Sequence, residues 1–275
     1  PYSSQFYSVF LCNISALSGA LYSNLNKELI LPKPSRHIRI CVLSYSYILI
    51  IFIYLYINER RKIMDIQLNY IEKGEGEPLI LLHGNGENCE YFSNQIEYFS
   101  EKYRVIALDT RGHGKSPRGE CSFTIRRFAE DLRDFMDEKG IEKAHILGFS
   151  DGANIALRFA LKYPERADKI VLNGANLFPA GVKASVQLPI TLGYKFASLF
   201  ASKNENAGKN AEMLGLMVND PNIAPEELRS IKNPALVIAG TNDMIKDSHT
   251  RLIHKNLPNS ELAIIAGDHF IASKN

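Results

Sequence analysis

A serine between two glycines lies where a short apolar stretch gives way to a helical one, in the pattern Gly148-x-Ser150-x-Gly152. Small flanking residues suit a sharp turn from strand to helix, because larger side chains would clash across it. Such a turn exposes the serine hydroxyl and leaves the following N–H free to bind an oxyanion. The pattern predicts a nucleophilic serine, although glycine and serine are common enough that the motif alone also fits an ordinary turn.

The residues around Ser150 supply the elements that such a turn requires. Residues 144–147 are apolar in the manner of a buried strand, and residues 153–163 have helical periodicity. Pro164 follows and ends the predicted helix. The strand–turn–helix context therefore favours the catalytic interpretation of the serine.

Strand-like and helical segments alternate along residues 64–275. We predict strands at residues 66–73, 79–82, 104–109, 144–147, 169–173, 234–240 and 261–266, and helices at residues 124–139, 153–163 and 250–256. This alternation predicts an α/β domain with a mostly parallel central sheet flanked by helices. Active sites of such sheets lie outside the carboxyl ends of the strands. Four polar groups follow predicted strands: His83–Asn88, Ser150–Asp151, Asn242–Asp243 and Asp268–His269.

The alternation stops between residues 177 and 231, which we interpret as an insertion forming a small helical lid over the strand ends. Residues 190–199 are predicted to be helical, and the polar residues 202–210 are predicted to be a loop. The apolar lid residues fit either a core or a substrate pocket: Leu188, Ile190, Leu192, Tyr194, Phe196, Leu199 and Phe200.

Residues 1–63 differ from the rest of the chain and contain no Met. Residues 40–57 are uncharged and long enough to be a transmembrane candidate. The other interpretation is an untranslated leader read as protein, since residues 60–63 before Met64 fit the codons of a purine-rich ribosome-binding site. At the other end the chain stops six residues after His269, so we expect the closing helix of the domain to be truncated.

Composition narrows the range of partners. The net charge is +2, so no global attraction to nucleic acid or membrane is expected. The four cysteines form no CxxC pair and have no zinc-like spacing, which fits reduced thiols in the cytoplasm. We predict a cytoplasmic protein without metal or organic cofactor and without nucleic-acid partner, attached to a membrane only if residues 40–57 are a real anchor.

Five motifs together resemble the α/β-hydrolase fold family over roughly residues 64–273. They are His83-Gly84, Asp109-x-Arg111-Gly112-His113-Gly114-x-Ser116, Gly148-Phe-Ser150-Asp-Gly152, Gly240-Thr-Asn-Asp243 and Gly267-Asp-His269-Phe270. Their order is specific for the fold and much less specific for the substrate.

The resemblance implies a catalytic triad in the order Ser150, Asp243, His269. His269 is then expected to contact Ser150 Oγ on one side and Asp243 on the other. The backbone N–H groups of Asn85 and Asp151 are the expected oxyanion donors.

Other acids and histidines of the chain fit these roles less well. Some relatives place the acid after the preceding strand, but residues 173–176 offer no carboxylate here. Asp268 is the chain neighbour of the histidine and is expected to point elsewhere. Structural roles are predicted for His83 and His113, and surface or helix positions for the remaining histidines: His145, His249 and His254.

Asp151 is the most informative variable position. With the residues around it, the sequence resembles the valacyclovir hydrolase (biphenyl-hydrolase-like) branch. That resemblance implies that Asp151 binds the α-amino group of aminoacyl esters. The alternative is that Asp151 caps the N-terminus of the following helix.

The leading prediction is a serine hydrolase of a small carboxylic ester, possibly an aminoacyl ester, acting through an acyl-enzyme. A peptidase of the prolyl aminopeptidase type or a C–C bond hydrolase would use the same triad. A non-catalytic binding protein of the same fold is the alternative from a different class. A haloalkane dehalogenase is excluded, because it needs an aspartate where Ser150 stands.

Overall fold

The computed structural model describes residues 65–274, within which seven strands form one sheet. The strands are β1 (Tyr70–Lys73), β2 (Glu77–Leu82), β3 (Tyr103–Leu108), β4 (Ala144–Phe149), β5 (Ala167–Asn173), β6 (Ala235–Gly240) and β7 (Ser260–Ile265). Their order across the sheet is β1-β3-β2-β4-β5-β6-β7. Only the pair β1–β3 is antiparallel, so the predicted mostly parallel α/β sheet is confirmed.

Helices flank this sheet. They are α1 (Ser93–Phe99), α2 (Ile125–Glu138), α3 (Asp151–Lys162), α4 (Ala184–Phe200), α5 (Glu205–Asn219), α6 (Asp247–Asn256) and α7 (Ile271–Lys274). Short 3₁₀ turns lie at Cys89–Phe92, Pro179–Gly181 and Pro225–Ser230. Alternate residues of β2 enter separate apolar clusters, Ile80 with α2 and α3, and Leu81 with Phe92 and Ile96. The sheet is therefore covered on both faces, which explains why its strands are continuous apolar runs.

The first strand is shorter than predicted. Residues 66–69 precede β1 outside the strand. The Asn69 oxygen accepts from the Asp109 N–H at 2.9 Å, whereas its N–H donates to the Ser116 hydroxyl at 2.8 Å rather than to a neighbouring strand. Ile66 and Leu68 are nevertheless buried in the core. The alternating apolar pattern thus marked buried positions correctly and overestimated the length of the strand.

Two helices, α4 and α5, lie between β5 and β6. The predicted loop at residues 202–210 is wrong from Glu205 onward, where α5 begins. The Asn204 side chain caps α5 by accepting a hydrogen bond from the Ala207 N–H at 3.0 Å. Lys209 and Glu205 form an i,i+4 ion pair at 2.7 Å on its surface. Capping and surface pairing allow a polar sequence to be helical without a large buried face.

The apolar lid residues are not core residues. None of the seven is buried, and five of them are exposed: Leu188, Leu192, Phe196, Leu199 and Phe200. Their spacing places Leu188, Leu192 and Phe196 on one face of α4, whereas Tyr194 lines a cavity against α5. The periodicity predicted the helix, and of the two alternatives left open for these residues the structure does not support a place in the core.

Within residues 65–274, no helix combines the length and the apolar character needed to cross a membrane. The predicted leader of residues 1–63 and its candidate span at residues 40–57 lie outside the described residues.

Candidate active site

Ser150 lies in a tight turn between β4 and α3. Its φ of 53° falls in the left-handed region, and it is the only non-glycine residue in the described chain with a positive φ. A Cβ atom on Gly148 would lie 2.2 Å from the Gly152 oxygen, and one on Gly152 would lie 1.9 Å from the Leu82 oxygen. The turn is therefore as tight as the sequence predicted, and its strain is held by close packing on both sides.

Asp243 and His269 come together from loops that follow β6 and β7. His269 Nδ1 and Asp243 Oδ1 are 2.7 Å apart, and both side chains are buried. The Asp243 carboxylate also accepts from the N–H groups of Ile245, at 2.9 Å, and Gly240, at 3.3 Å. Burial alone would raise the pKa of Asp243, but the hydrogen bond and charge of His269, with these N–H donors, hold that pKa below its ordinary value. The carboxylate therefore stays ionised beside the imidazole.

The other ring nitrogen of His269 has no hydrogen-bond partner. Nε2 is buried and unpaired, so the expected hydrogen bond to Ser150 Oγ is not formed in this structure. The ring is fixed in place, because it packs on Phe149 with ring centroids 4.9 Å apart. A Cβ on Gly174 would lie 2.5 Å from the ring. A serine hydroxyl turns about one bond, and catalytic hydrogen bonds often form fully only with substrate present.

The loop after β2 lies against the serine. A Cβ on Gly84 would lie 3.1 Å from the Ser150 Cβ, so the loop backbone approaches the nucleophile closely. The buried His83 accepts from the Thr110 N–H at 3.0 Å, and burial lowers its pKa to about 4. It therefore shapes the loop as a neutral ring. The Asn85 side chain donates to the Met213 oxygen at 2.8 Å and ties the loop to the lid helix α5.

Asp151 is the first residue of α3, and it is buried. Its Oδ1 accepts from the Asn154 side chain at 3.2 Å rather than from a helix N–H, and its Oδ2 has no hydrogen-bond partner. The capping alternative is therefore not supported. Burial raises the pKa of Asp151 to about 6, the side-chain amides of Asn154 and Asn85 oppose this rise, and the charge of Asp220 adds to it. A buried carboxylate oxygen that has no hydrogen-bond partner costs the folded protein free energy, and a partner at this position would remove that cost.

Glu87, in the same loop as Asn85, was not singled out from the sequence. It is half-buried, and its Oε2 accepts from the Gly84 N–H at 3.3 Å. Burial raises its pKa to about 6, and His269 lies close enough to act on its charge. A glutamate in a polar, glycine-rich loop usually faces solvent, so the sequence carried no signal of this position.

The remaining motif residues lie away from the serine and hold the loops. Arg111 is fully buried and forms two hydrogen bonds of 2.7 Å with Asp131. His113 contacts the Arg111 oxygen at 2.9 Å, which supports the predicted structural role. His249 lies in α6 but is buried, and it accepts from the Leu177 N–H at 2.9 Å. Burial lowers its pKa to about 4, so it is a neutral structural acceptor rather than a surface group.

His145 and His254 also lie away from the serine. His145 is half-buried between Glu77 and Asp168, at 3.2 and 3.1 Å, and His254 pairs with the Ser260 hydroxyl at 2.9 Å. Asp268 accepts from the backbone N–H of Phe270, two residues later, at 2.9 Å.

A cavity of about 680 Å³ lies between the lid helices and the loop before α2. Its lining includes Phe123, Tyr194, Glu212 and Asp220, and it includes no member of the predicted triad. The lining of this cavity therefore leaves out the Ser150 turn, although the charge of Asp220, which lines it, acts on Asp151.

Residues 77–207 match the family described as alpha/beta hydrolase fold. A 2-hydroxy-6-oxononadienedioate/2-hydroxy-6-oxononatrienedioate hydrolase from Paraburkholderia phymatum is 35% identical over 181 residues, 63% of this chain and 61% of that protein. A 2-hydroxy-6-oxo-6-phenylhexa-2,4-dienoate hydrolase from Comamonas testosteroni is 36% identical over 48% of this chain and 46% of that protein. The chain thus spans less than two thirds of these two relatives.

A longer match is a second 2-hydroxy-6-oxononadienedioate/2-hydroxy-6-oxononatrienedioate hydrolase, from Burkholderia vietnamiensis. It is 31% identical over 255 residues, 76% of this chain and 86% of that protein. Among solved structures, a meta-cleavage product hydrolase from Pseudomonas fluorescens is 26% identical with a TM-score of 0.61, covering 74% of this chain and 88% of that one. The chain belongs to the α/β hydrolase family.

Proposed function

We propose that this chain is a serine hydrolase that cleaves a bond beside a carbonyl group, with Ser150, His269 and Asp243 as its triad. The observation that carries the proposal is the His269 ring, bonded to Asp243 through Nδ1 at 2.7 Å with a buried, unpaired Nε2. An imidazole held in this way lacks only a proton donor. The hydroxyl of Ser150, which lies in the strained turn, becomes that donor once a bound substrate aligns it with Nε2.

The reaction begins when Ser150 Oγ attacks the carbonyl carbon and its proton moves to Nε2 of His269. Asp243 stabilises the imidazolium that results. The negative charge on the substrate oxygen is accepted by the N–H groups of Asn85 and Asp151, the latter at the start of a helix where N–H groups lack intrahelical partners. His269 then returns the proton to the leaving group, and water releases the acyl group by the reverse sequence.

A C–C bond beside a ketone is the leading candidate for the bond that is cleaved. This is supported by relatives named as hydrolases of 2-hydroxy-6-oxo dienoates and dienedioates, with 31–36% identity. An enzyme of this kind uses the same proton transfers and differs in its leaving group, which is a carbanion equivalent that must be protonated. His269 Nε2 is the proton donor for that step in this proposal.

A carboxylic ester is the second candidate, and a specific observation favours it. The substrates in the relatives' names are carboxylates, whereas the ionisable groups around Ser150 include, besides the triad, the acids Asp151 and Glu87. An anionic substrate would be repelled there, and an ammonium group would be attracted. Asp151 Oδ2 lacks a partner, which fits an aminoacyl ester, or the free N-terminus of a peptide for an aminopeptidase.

Labelling with a fluorophosphonate tests the hydrolase itself. We expect the wild type and Ser198→Ala, which removes an exposed lid serine, to be labelled equally, and Ser150→Ala not at all. Labelling that is absent from the wild type, or unchanged in Ser150→Ala, contradicts the proposal and leaves a binding protein as the better interpretation.

A substrate panel then separates the two bond classes. It contains a 2-hydroxy-6-oxo dienoate, a p-nitrophenyl acyl ester and an aminoacyl ester, each assayed with the wild type and Asp151→Ala. An aminoacyl ester hydrolase loses kcat/KM selectively on the aminoacyl ester in Asp151→Ala. Turnover of the dienoate that is retained or improved in Asp151→Ala instead supports the C–C hydrolase, because the variant removes a repelling charge. Equal losses on all three substrates count against substrate recognition by Asp151.

A further inference from the structure

Asn154 is fully buried in the first turn of α3, three residues after Asp151, and it belongs neither to the triad nor to the oxyanion donors. Its Nδ2 donates to Asp151 Oδ1 at 3.2 Å and to Asn176 Oδ1 at 3.0 Å. Its Oδ1 accepts from the Asn176 N–H at 2.9 Å. An asparagine amide has two N–H donors and one oxygen, so every polar group of this side chain is engaged.

The orientation of the Asn154 amide is fixed by the polarity of the main chain. A backbone N–H can only donate, so the Asn154 oxygen faces the N–H of Asn176 and the NH₂ group faces Asp151. The Asn176 amide is oriented in the same way, because its Nδ2 donates to the Phe178 oxygen at 3.2 Å and a carbonyl can only accept. A donor that does not ionise is therefore directed at Asp151 Oδ1.

This contact gives the two oxygens of Asp151 different surroundings. Oδ1 is held by Asn154, whereas Oδ2 is buried and has no hydrogen-bond partner among the described residues. Burial raises the pKa of Asp151, and the Asn154 amide opposes that rise by favouring the ionised form. A cation that donates a hydrogen bond satisfies Oδ2, whereas an apolar group leaves the cost of the buried charge in place. Because Asp151 directly follows Ser150, a suitable donor is an amino group close to the carbonyl that Ser150 attacks.

We propose that Asn154 is a positioning residue that presents Asp151 Oδ2 to the protonated α-amino group of a substrate. The inference rests on the proposed function and extends it from Asp151 to the side chain that orients it. Asn154 exchanges no proton and acts only by holding Oδ1. Without its amide, the carboxylate of Asp151 is free to rotate, and Oδ2 is no longer fixed beside the nucleophile.

The test measures how well amino-acid amides protect Ser150 from a fluorophosphonate at pH 7, which requires labelling but no turnover. The protecting compounds are leucinamide, valinamide and phenylalaninamide, each compared with the same amide without its amino group. At this pH most of the α-amino group is protonated. Asp151, whose pKa is about 6, is mostly ionised.

The variants are Asp151→Asn, Asn154→Leu, which keeps the volume and removes the polar atoms, and the double variant. The matched control is Asn256→Leu, which changes a buried asparagine of α6 whose amide donates to the Leu252 oxygen at 2.9 Å. Melting temperatures are measured in parallel.

We expect at least one amino-acid amide to protect the wild type at a concentration about tenfold lower than its amine-free partner, the order of one hydrogen bond to a charged group. In Asn154→Leu this difference should shrink to about threefold or less, while the rate of labelling without a protecting amide stays within about threefold of the wild type. Asp151→Asn should lose the difference. Adding Asn154→Leu to Asp151→Asn should change nothing further, because Asn154 acts through Asp151. Asn256→Leu should keep the wild-type difference.

An unchanged difference in Asn154→Leu overturns the inference. So does an equal loss of protection by both members of a pair, which would mark a merely structural role of the amide. If Asn154→Leu does not fold, Asn154→Ala decides by the same two readouts. A wild type that is not labelled at Ser150 refutes the proposed function, and the inference falls with it. A labelled wild type that no amine protects better than its amine-free partner refutes only the inference.

Discussion

In the proposed triad, the carboxylate of Asp243 acts on the reaction through His269. With Asn at this position, the side-chain amide can donate a hydrogen bond to Nδ1. The proton of the neutral imidazole then lies on Nε2, the nitrogen that must be unprotonated to accept the serine proton. We expect Asp243→Asn to lower kcat by about 10⁴-fold with little change in KM, since the geometry is kept and the tautomer is wrong. Steady-state kinetics on the panel substrate that the wild type cleaves best measures this.

The control for that variant is Asp247→Asn, which changes an exposed acid that pairs with Arg251 within α6. It should have wild-type kinetics. A kcat within tenfold of the wild type in Asp243→Asn would mean that the histidine is oriented by another group, and the assignment of the acid would be wrong.

Asp151 should reduce the stability of the fold at neutral pH. The pKa of its buried carboxyl is about 6, above the ordinary 3.8, so the folded protein binds this proton more tightly than the unfolded chain. The contribution of this carboxyl to the free energy of unfolding therefore falls as pH rises from about 4 to 6. Above that range the contribution does not fall further. We expect Asp151→Asn to be more stable than the wild type by roughly 1–3 kcal/mol at pH 8, and by little at pH 4.

Urea unfolding of both proteins at pH 4, 6 and 8 measures this difference. The exposed Glu101→Gln provides the matched control and should change stability by less than about 0.5 kcal/mol at every pH. A stability gap between Asp151→Asn and the wild type that is the same at pH 4 and pH 8 contradicts a buried, titrating carboxylate. A gain in stability with a loss of activity is the expected trade-off of a functional site.

The sequence predicted these residues unevenly, and the reason is physical. Ser150, Asp243 and His269 lie in motifs fixed by strand ends, so their convergence follows from the parallel sheet. Glu87 gave no such signal, because its partial burial depends on how the loop after β2 packs rather than on any local pattern. The unpaired Nε2 of His269 was likewise not predictable, since hydrogen-bond geometry at a site depends on tertiary detail that the motifs do not carry.

At the scale of elements, the turn between β4 and α3 has no room for a further methyl group. The Cβ atom of Gly152→Ala would lie 1.9 Å from the Leu82 oxygen of the neighbouring strand. Main-chain atoms cannot move far enough to relieve this clash without a large cost in free energy. We expect a loss of more than about 4 kcal/mol, or no folded protein, because the strand and helix must separate. Thermal unfolding followed by circular dichroism measures the effect.

Gly193→Ala is the matched control, because this glycine lies inside α4 and its added Cβ would meet only the flexible end of Leu214 at 3.3 Å. Its stability should stay within about 1 kcal/mol of the wild type or increase, as expected for alanine in a helix. A Gly152→Ala protein as stable as the wild type would show that the turn is looser than its geometry indicates.

The two lid helices show which structural features the apolar spacing of the sequence predicts and which it does not. Helix α4 was predicted from its apolar spacing, whereas α5 begins in a polar stretch where the capping side chain of Asn204 matters more than any apolar face. The exposed residues of α4, such as Leu192 and Phe196, show that an apolar stripe predicts a helix better than it predicts what covers that helix. Burial is decided by tertiary packing, which a single sequence does not contain.

At the scale of the whole molecule, Arg111 connects segments that are far apart in sequence. Its fully buried guanidinium bonds Asp131 of α2, Asp65 at 2.5 and 2.9 Å, and the Arg118 oxygen at 3.0 Å. The sheet brings these segments together, and the network joins the start of the described chain to α2 and to the loop that reaches the lid through Glu212. Removing one member leaves the others buried or partly buried without a partner.

We therefore expect Arg111→Met to cost about 3–5 kcal/mol, because the nearly fully buried Asp131 then keeps only its contact with Arg127. Arg111→Met combined with Asp131→Leu should recover part of that loss, since an apolar pair of similar volume leaves no buried charge. Urea unfolding of the two single variants and the double variant closes a double-mutant cycle. Arg251→Ala, which breaks an exposed pair, should leave the unfolding midpoint unchanged. A double variant less stable than Arg111→Met would mean that the network contributes net stability beyond the avoidance of an unpaired charge.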